Sequence, residues 1–135
     1  MQINPYLNFN GNCAEAFKFY EKCFGGKIEM MMTHKDAPPE ANMSPDWGDK
    51  ILHVRLNVNG AILLGSDAPA NFYHAPQGMT VSLMVDKPEE AQRIFKELAV
   101  NGNVTMALQQ TFWAKQFGMV TDRFSTPWMV NCPNI

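Results

Sequence analysis

The sequence predicts an α+β fold: two tandem βαβββ modules whose curved mixed sheets enclose a cleft. Three observations carry this expectation. Two amphipathic helical patterns share the same start and stop signals, strand-like runs flank each of them in the same order, and residue identities recur between the two halves. Laid over itself with Glu15 on Glu90, the chain also brings Ala16 onto Ala91, Lys18 onto Arg93 and Tyr20 onto Phe95. One further residue of shift brings Gly26 onto Gly102, Ile28 onto Val104 and Met30 onto Met106. An internal repeat is the economical explanation, and repeats decide folds.

The elements follow in order. A first strand is expected over 4–10. Asn12 then has the chemistry of a helix cap, with Glu15 as the return half of a capping box and Gly25-Gly26 as the stop. Between them Cys13, Ala16, Phe17, Tyr20 and Phe24 fall at helical spacing and give one apolar stripe. A second strand is expected over 27–33, then a hairpin of 51–57 and 61–66 turning through Asn59-Gly60, a strong hairpin signal. The second module repeats this order. Its strand covers 80–85, and its helix is capped by Asp86, has Pro88 in the first turn and ends at Asn101-Gly102. Its stripe is Ala91, Ile94, Phe95 and Leu98. A strand over 103–108 and a hairpin of 116–122 and 127–131, turning at Phe124-Ser125, complete it. Two connections stand outside the repeat, the Pro-rich 34–50 and the segment 67–78 with Phe72 and Tyr73, and either is long enough to cover a cleft.

Composition excludes several functions. A chain of 135 residues with 46% hydrophobic content is long enough for one well-buried core and short for two independent ones. A net charge of −2 with no basic run argues against a nucleic-acid or anionic-membrane surface. No apolar run approaches the ~20 residues that span a bilayer, and the N-terminus lacks the regions of a signal peptide, so the cytoplasm is the expected location. Cys13, Cys23 and Cys132, an odd number without C-x-x-C spacing, suit reduced thiols rather than a disulfide scaffold or a cysteine zinc site. Ten methionines suit adaptable core filling or a soft binding surface.

Alternation along the first hairpin strand places Val54, Leu56 and Val58 toward the helix, and His53, Arg55 and Asn57 toward the cleft. Those three form either a half-exposed sheet face or a polar floor for an anionic or carbonyl ligand. Phe112 and Trp113 lie on a connecting segment, where large aromatics forgo burial unless they cover a sheet edge or stack on a ligand. Gln109 just ahead of them and Met129, expected on the cleft side of the last strand, join the binding candidates, whereas Trp128 belongs to the core. The aromatic pair is expected at the cleft rim, close to His53 and Arg55. His34 and His74 read as surface imidazoles, Asp122 and Arg123 as a solvated hairpin end. Cys13, at a helix N-terminus, reads as a small apolar residue of the stripe rather than a nucleophile.

The stretches PYLNFNGNCAEAFKFYEKCFGG, LLGSDAP and TFWAKQFGMVTDRFSTPWMVN resemble the vicinal oxygen chelate superfamily of glyoxalase I, extradiol dioxygenases and bleomycin-resistance proteins. Within it they resemble the PhnB-like branch, over essentially the whole chain. The resemblance implies one domain over 1–135, with a first module over about 1–66, a second over about 79–135 and a linker over 67–78. It also implies a homodimer and, in the enzymes, a divalent metal held by His and Glu from the first and last strand of each module. Those places fall near Pro5, Leu64, Thr80 and Met129, which are poor ligands for such a metal, so no metal cofactor is expected. Members of the branch have carried a demethylubiquinone methyltransferase label. No Gly-rich strand-to-helix turn supports it here.

The expected function is therefore binding of a small organic ligand without the usual metal, as in bleomycin-resistance proteins, by His53, Arg55, Gln109, Phe112, Trp113 and Met129. One alternative is a metal-dependent lyase, isomerase or dioxygenase whose ligands come from positions such as His53, Asp67 or His74. Another is a non-catalytic dimeric scaffold whose cleft is filled by its own Met and Phe side chains.

Overall fold

Each half of the chain wraps a four-stranded mixed sheet around one helix. The computed structural model describes residues 1–41 and 45–134. It divides into two units, Met1–His74 and Ala75–Ile135, described separately below.

The first unit runs β1 (Tyr6–Phe9), α1 (Cys13–Phe24), β2 (Lys27–Thr33), β3 (Ile51–Val58) and β4 (Ala61–Asp67). Its strand order is β1-β4-β3-β2, with β1 parallel to β4 and the other neighbours antiparallel. The second runs β5 (Val81–Met84), α2 (Pro88–Ala99), β6 (Asn103–Gln109), β7 (Ala114–Thr121) and β8 (Pro127–Pro133), in the equivalent order β5-β8-β7-β6. The βαβββ repeat expected from the sequence is present element by element. Segment 34–50 contains three short 3-10 turns, His34–Asp36, Pro39–Ala41 and Pro45–Trp47; Asn42, Met43 and Ser44 lie outside the described residues.

The helical stripes are buried as their spacing requires, except that at the end of α1 Cys23 is buried and Phe24, expected in the stripe, is half-buried. Cys13, Ala16, Phe17, Tyr20 and Cys23 are buried against β3 and its neighbours, as are Ala91, Ile94, Phe95 and Leu98 against β7 and β8. In the first unit Phe9, Phe17 and Tyr20 form an edge-to-face cluster, with Phe17 centred 5.9 Å from Phe9 and 5.6 Å from Tyr20. Each such side chain contributes about 1.5–3 kcal/mol by leaving water. In both units an aromatic ring of the helix packs directly over a sheet glycine. A Cβ on Gly65 would sit 2.6 Å from Phe17, and one on Gly118 would sit 2.8 Å from Phe95. Trp128 is fully buried, in line with its assignment to the core.

The hairpin Asn59-Gly60 turns with positive φ at both residues, 53° and 94°, as a two-residue turn of the mirror-image type demands. Gly60 N–H donates to Asn57 Oδ1 at 2.7 Å.

Four expectations need correction. The Asn12 side chain makes no capping bond; instead Asp67, at the end of β4, accepts from Cys13 N–H at 3.0 Å and from Ile51 N–H at 2.8 Å. The N-cap of α2 is Lys87, not Asp86, and no side chain bonds there. β7 begins at Ala114 and β8 extends to Pro133, so both strands are longer than expected. Asp122 is no solvated hairpin end: it is buried, and its carboxylate accepts from Phe124 N–H, Thr126 N–H and Trp128 Nε1–H at 2.8–2.9 Å. Arg123 lies over the Phe124 ring, 4.5 Å from its centroid. Among the described residues, no helix is long and apolar enough to cross a membrane.

Candidate functional site

In the second sheet, Gly118, Val120, Trp128, Val130 and Cys132 point toward α2 and are buried. Alternation turns the residues between them to the opposite face. The strand register aligns these into rows. One row runs Met84, Asn131, Phe117, Gln109 across β5, β8, β7 and β6, and the next runs Ser82, Met129, Met119, Met106. None of these eight side chains ionises. Two of the sequence-predicted residues, Gln109 and Met129, therefore share this face.

A tight turn closes the strip between β6 and β7. Thr111 N–H donates to the Ala114 carbonyl at 3.0 Å, and Thr111 Oγ1 accepts from Ala114 N–H at 3.1 Å and from Trp113 N–H at 3.3 Å. This bonding pins the backbone and leaves the two central residues, Phe112 and Trp113, at the tip. Their exposures are 91% and 47%, so the pair is not buried over the sheet edge. Trp113 stands edge-on to Phe117 with centroids 5.5 Å apart, and Phe112 packs edge-on against Trp113 at 4.8 Å. An aromatic ladder thus leads from the turn onto the face opposite α2.

The equivalent face of the first sheet is polar but internally paired. Arg55 Nε donates to Glu29 at 2.8 Å, and Asn57 Nδ2 donates to the other oxygen of Glu29 at 3.0 Å. These contacts, the Asn57 bond foremost, hold the Glu29 carboxyl below the usual range. His53 Nδ1 and the Tyr6 hydroxyl share a hydrogen bond at 3.3 Å, with their rings stacked at 5.7 Å. His53 and Arg55 do face away from α1, where alternation placed them. Their charge and hydrogen-bonding capacity are partly used by Glu29 and Tyr6, neither of which was singled out from the sequence.

The donors available to a divalent metal can be read from the same registers. In the first sheet Tyr6 stands beside Leu64, and in the second Ser82 stands beside Met129. The strand positions that stand beside Leu64 and Met129 are thus Tyr6 and Ser82, and Pro5 and Thr80 lie just outside β1 and β5. The corrected set offers a phenol, a hydrocarbon, a hydroxyl and a thioether, which does not fit a hard or borderline divalent cation. Asp67 spends its carboxylate on two backbone N–H groups, and His74 is exposed in the segment after β4. Among the described residues, no three His, Cys, Asp or Glu side chains group as metal ligands. His34, read from the sequence as a surface imidazole, is 7% exposed and sits edge-on to Trp47 at 5.7 Å. Cys13 is buried, and that burial, with the neighbouring Asp67 charge, pushes its thiol far above its ordinary range. A thiol so held is no nucleophile. The strand-to-helix connection of the first unit, Asn10-Gly11-Asn12, holds one glycine, and the Asp67 side chain closes the N-terminus of α1. That arrangement does not fit a nucleotide-like methyl donor held on such a turn.

Of the eight residues in these two rows, sequence reasoning singled out Gln109 and Met129 and missed the other six, Asn131 and Phe117 among them. The signal was present: Asn131 stands two positions after Met129 on the same strand, so placing Met129 on the face placed Asn131 there too.

Comparison with known proteins gives a consistent family. A family model described as 3-demethylubiquinone-9 3-methyltransferase matches residues 1–131. The protein YjdN of Escherichia coli (strain K12) is 36% identical, over 97% of this chain and 95% of its own. The crystal structure of PA1353 from Pseudomonas aeruginosa is 48% identical and superposes with a TM-score of 0.90 over 98% of both chains. A PhnB protein from Bacillus cereus, 24% identical, superposes at 0.80 over 98% of this chain and 99% of its own. The fosfomycin resistance protein FosX from Listeria monocytogenes shares only 6% identity, yet superposes at 0.69 over 100% of this chain and 94% of its own, which shows a common fold. With its repeat, its sheet order and these relatives, the chain belongs to the PhnB-like family described as 3-demethylubiquinone-9 3-methyltransferase, whose fold is that of the glyoxalase and vicinal oxygen chelate proteins.

Proposed function

We propose that this protein binds a small organic molecule on the face of the second sheet opposite α2, against Trp113, Phe117 and Met129, and that it does so without a divalent metal or a nucleotide-like methyl donor. The single observation that carries the reading is the display of Phe112 and Trp113 on a turn whose backbone is pinned by Thr111, with most of Phe112 and about half of Trp113 standing in solvent beside an uncharged strip. Exposing that much aromatic surface is unfavourable unless something covers it. His53 and Arg55 add a second, polar face in the first unit, and the two units act together as one functional domain. We also propose self-association into a homodimer, supported by Met30 and Met32 on the edge strand β2 and Val104 and Met106 on the edge strand β6, all exposed. Nucleic acid is not a partner in this reading, since the chain carries 11 Lys and Arg against 13 Asp and Glu.

The metal-dependent reading has less support, because Asp67 is committed to backbone donors and His53 to Tyr6. A thermal-shift screen of a metabolite library, with and without added Zn²⁺, Mn²⁺ or Fe²⁺, tests both. A ligand at 100 times its dissociation constant stabilises by about 2.7 kcal/mol. Stabilisation by organic compounds alone is the expected result, and stabilisation that requires the metal would contradict it.

A further inference from the structure

Methionine is the one apolar residue type that the described part of this fold keeps out of its core. Of the ten in the sequence, Met43 lies outside the described residues, and none of the other nine is buried. Filling core gaps, a common role of methionine, is therefore not its role here. Three of the nine stand side by side. Met129 on β8 pairs with Met119 on β7, and Met119 pairs in turn with Met106 on β6. All three belong to a row on the face opposite α2, and each is at least partly open to solvent, Met106 by 39%. Directly paired Cα atoms on adjacent strands lie about 4.5–5.5 Å apart, so the outer two of the row are about 9–11 Å apart with Met119 between them. A methionine side chain is unbranched and rotates freely about its bonds, so the outer two sulfurs can lean inward to meet the third above the sheet.

We propose that Met106, Met119 and Met129 form a binding site for a soft monovalent cation, of which the cuprous ion is the biological example. Softness follows from the donors: thioether sulfur is neutral and polarisable and selects Cu(I), whereas an oxygen-seeking divalent ion finds only the Ser82 hydroxyl in the same row. The single charge follows from the same residues. Ser82, Met129, Met119 and Met106 carry no charge that could balance an ion, and the cost of taking an ion out of water rises with the square of its charge. The site goes beyond the reading of this face as a place for an organic ligand and does not depend on it, since it uses the sulfurs and not the aromatic turn. A partner strand paired along the β6 backbone would leave the Met106 side chain on this face, so self-association there does not remove a donor.

Silver ion, soft, monovalent and stable in air, is the probe. It is added as the nitrate, in chloride-free buffer, to the full-length protein isotopically labelled at its methionine methyl groups, and each methyl is followed by NMR. The expected result is that the Met106, Met119 and Met129 methyls move together and level off at one silver per chain, while Met79, 80% exposed and outside the row, does not move with them. Zn²⁺ in the same titration should move none of the three. Met119→Leu keeps the volume and removes the central sulfur. It should melt within a few degrees of the parent and lose the joint shift, as should Met129→Leu, whereas Met79→Leu should respond like the parent. The cysteines, stronger soft ligands, are buried and are left intact by these variants. A response of the same size in the parent, Met119→Leu and Met129→Leu, as silver acting through the thiols would give, would therefore overturn the site. So would methyls that stay still or move independently of one another, and so would a response to Zn²⁺ equal to that with silver.

Discussion

Two buried carboxylates organise this fold residue by residue, each through hydrogen bonds to the chain's own donors. Asp67 joins the end of β4 to the N-terminus of α1 and the start of β3 through two backbone bonds, and the helix dipole favours a negative group at that end. Asp122 ties the β7–β8 turn to itself and to the Trp128 indole. Removing either strands buried donors, each of which costs about 1–3 kcal/mol. Asp67→Ala and Asp122→Ala should therefore each lose at least about 2 kcal/mol in denaturant unfolding, and a loss below about 0.5 kcal/mol, the range of ordinary surface changes, would show the bonds to be dispensable. Cys13 carries a pH prediction. Its thiol is raised in the folded state by burial and then by Asp67, so the unfolded chain deprotonates first. Its stabilising effect is complete below the ordinary thiol pKa of ~8.5 and is lost as pH rises beyond it. Melting temperature measured from pH 7 to 10 should fall less steeply in Cys13→Ala than in the parent, and identical slopes would contradict this. These roles were not legible in advance. The capping of α1 was assigned to Asn12, because a local cap is what sequence proximity suggests, whereas Asp67 reaches it only after β4 has paired with β1.

Secondary-structure elements were the most legible layer, for a physical reason. A helix stripe and a strand alternation are local, and the repeat let each half check the other: in each unit an aromatic ring of the helix packs over a sheet glycine, Phe17 over Gly65 on β4 and Phe95 over Gly118 on β7. Strand ends were less legible, since Ala114 and Pro133 join their strands by pairing with each other, which no local pattern announces. The contact over glycine makes its own prediction. Gly118→Ala would force its Cβ to 2.8 Å from the Phe95 ring and 2.9 Å from the Leu108 backbone, and such overpacking costs about 1–3 kcal/mol. A variant as stable as the parent would mean that α2 can shift freely on its sheet. Within the β6–β7 turn, Thr111 holds Trp113 in place through the backbone. Thr111→Val, which keeps the shape and removes the hydroxyl acceptor, should weaken ligand binding while leaving the melting temperature within a few degrees. Unchanged affinity would show that the turn does not depend on that bond.

At the scale of the whole molecule, the family and fold are shown by relatives that cover nearly the full chain, while the chemistry has to be argued from the faces of the two sheets. The sequence pointed to the proposed face through Phe112, Trp113, Gln109 and Met129. It pointed equally to His53 and Arg55, whose partners Tyr6 and Glu29 were invisible until β1, β2 and β3 were aligned. Self-association should be visible by sedimentation at micromolar concentration, and a monomer of 15.2 kDa throughout would contradict it. The central claim, that the aromatic turn exists to bind rather than to fold, is tested most directly by Trp113→Ala. With the ring 47% exposed, truncation should leave the unliganded melting temperature nearly unchanged and reduce affinity for any stabilising compound by about 1–3 kcal/mol. Loss of about 3–5 kcal/mol of folding stability, with affinity preserved, would instead make the turn a packing element and contradict the account.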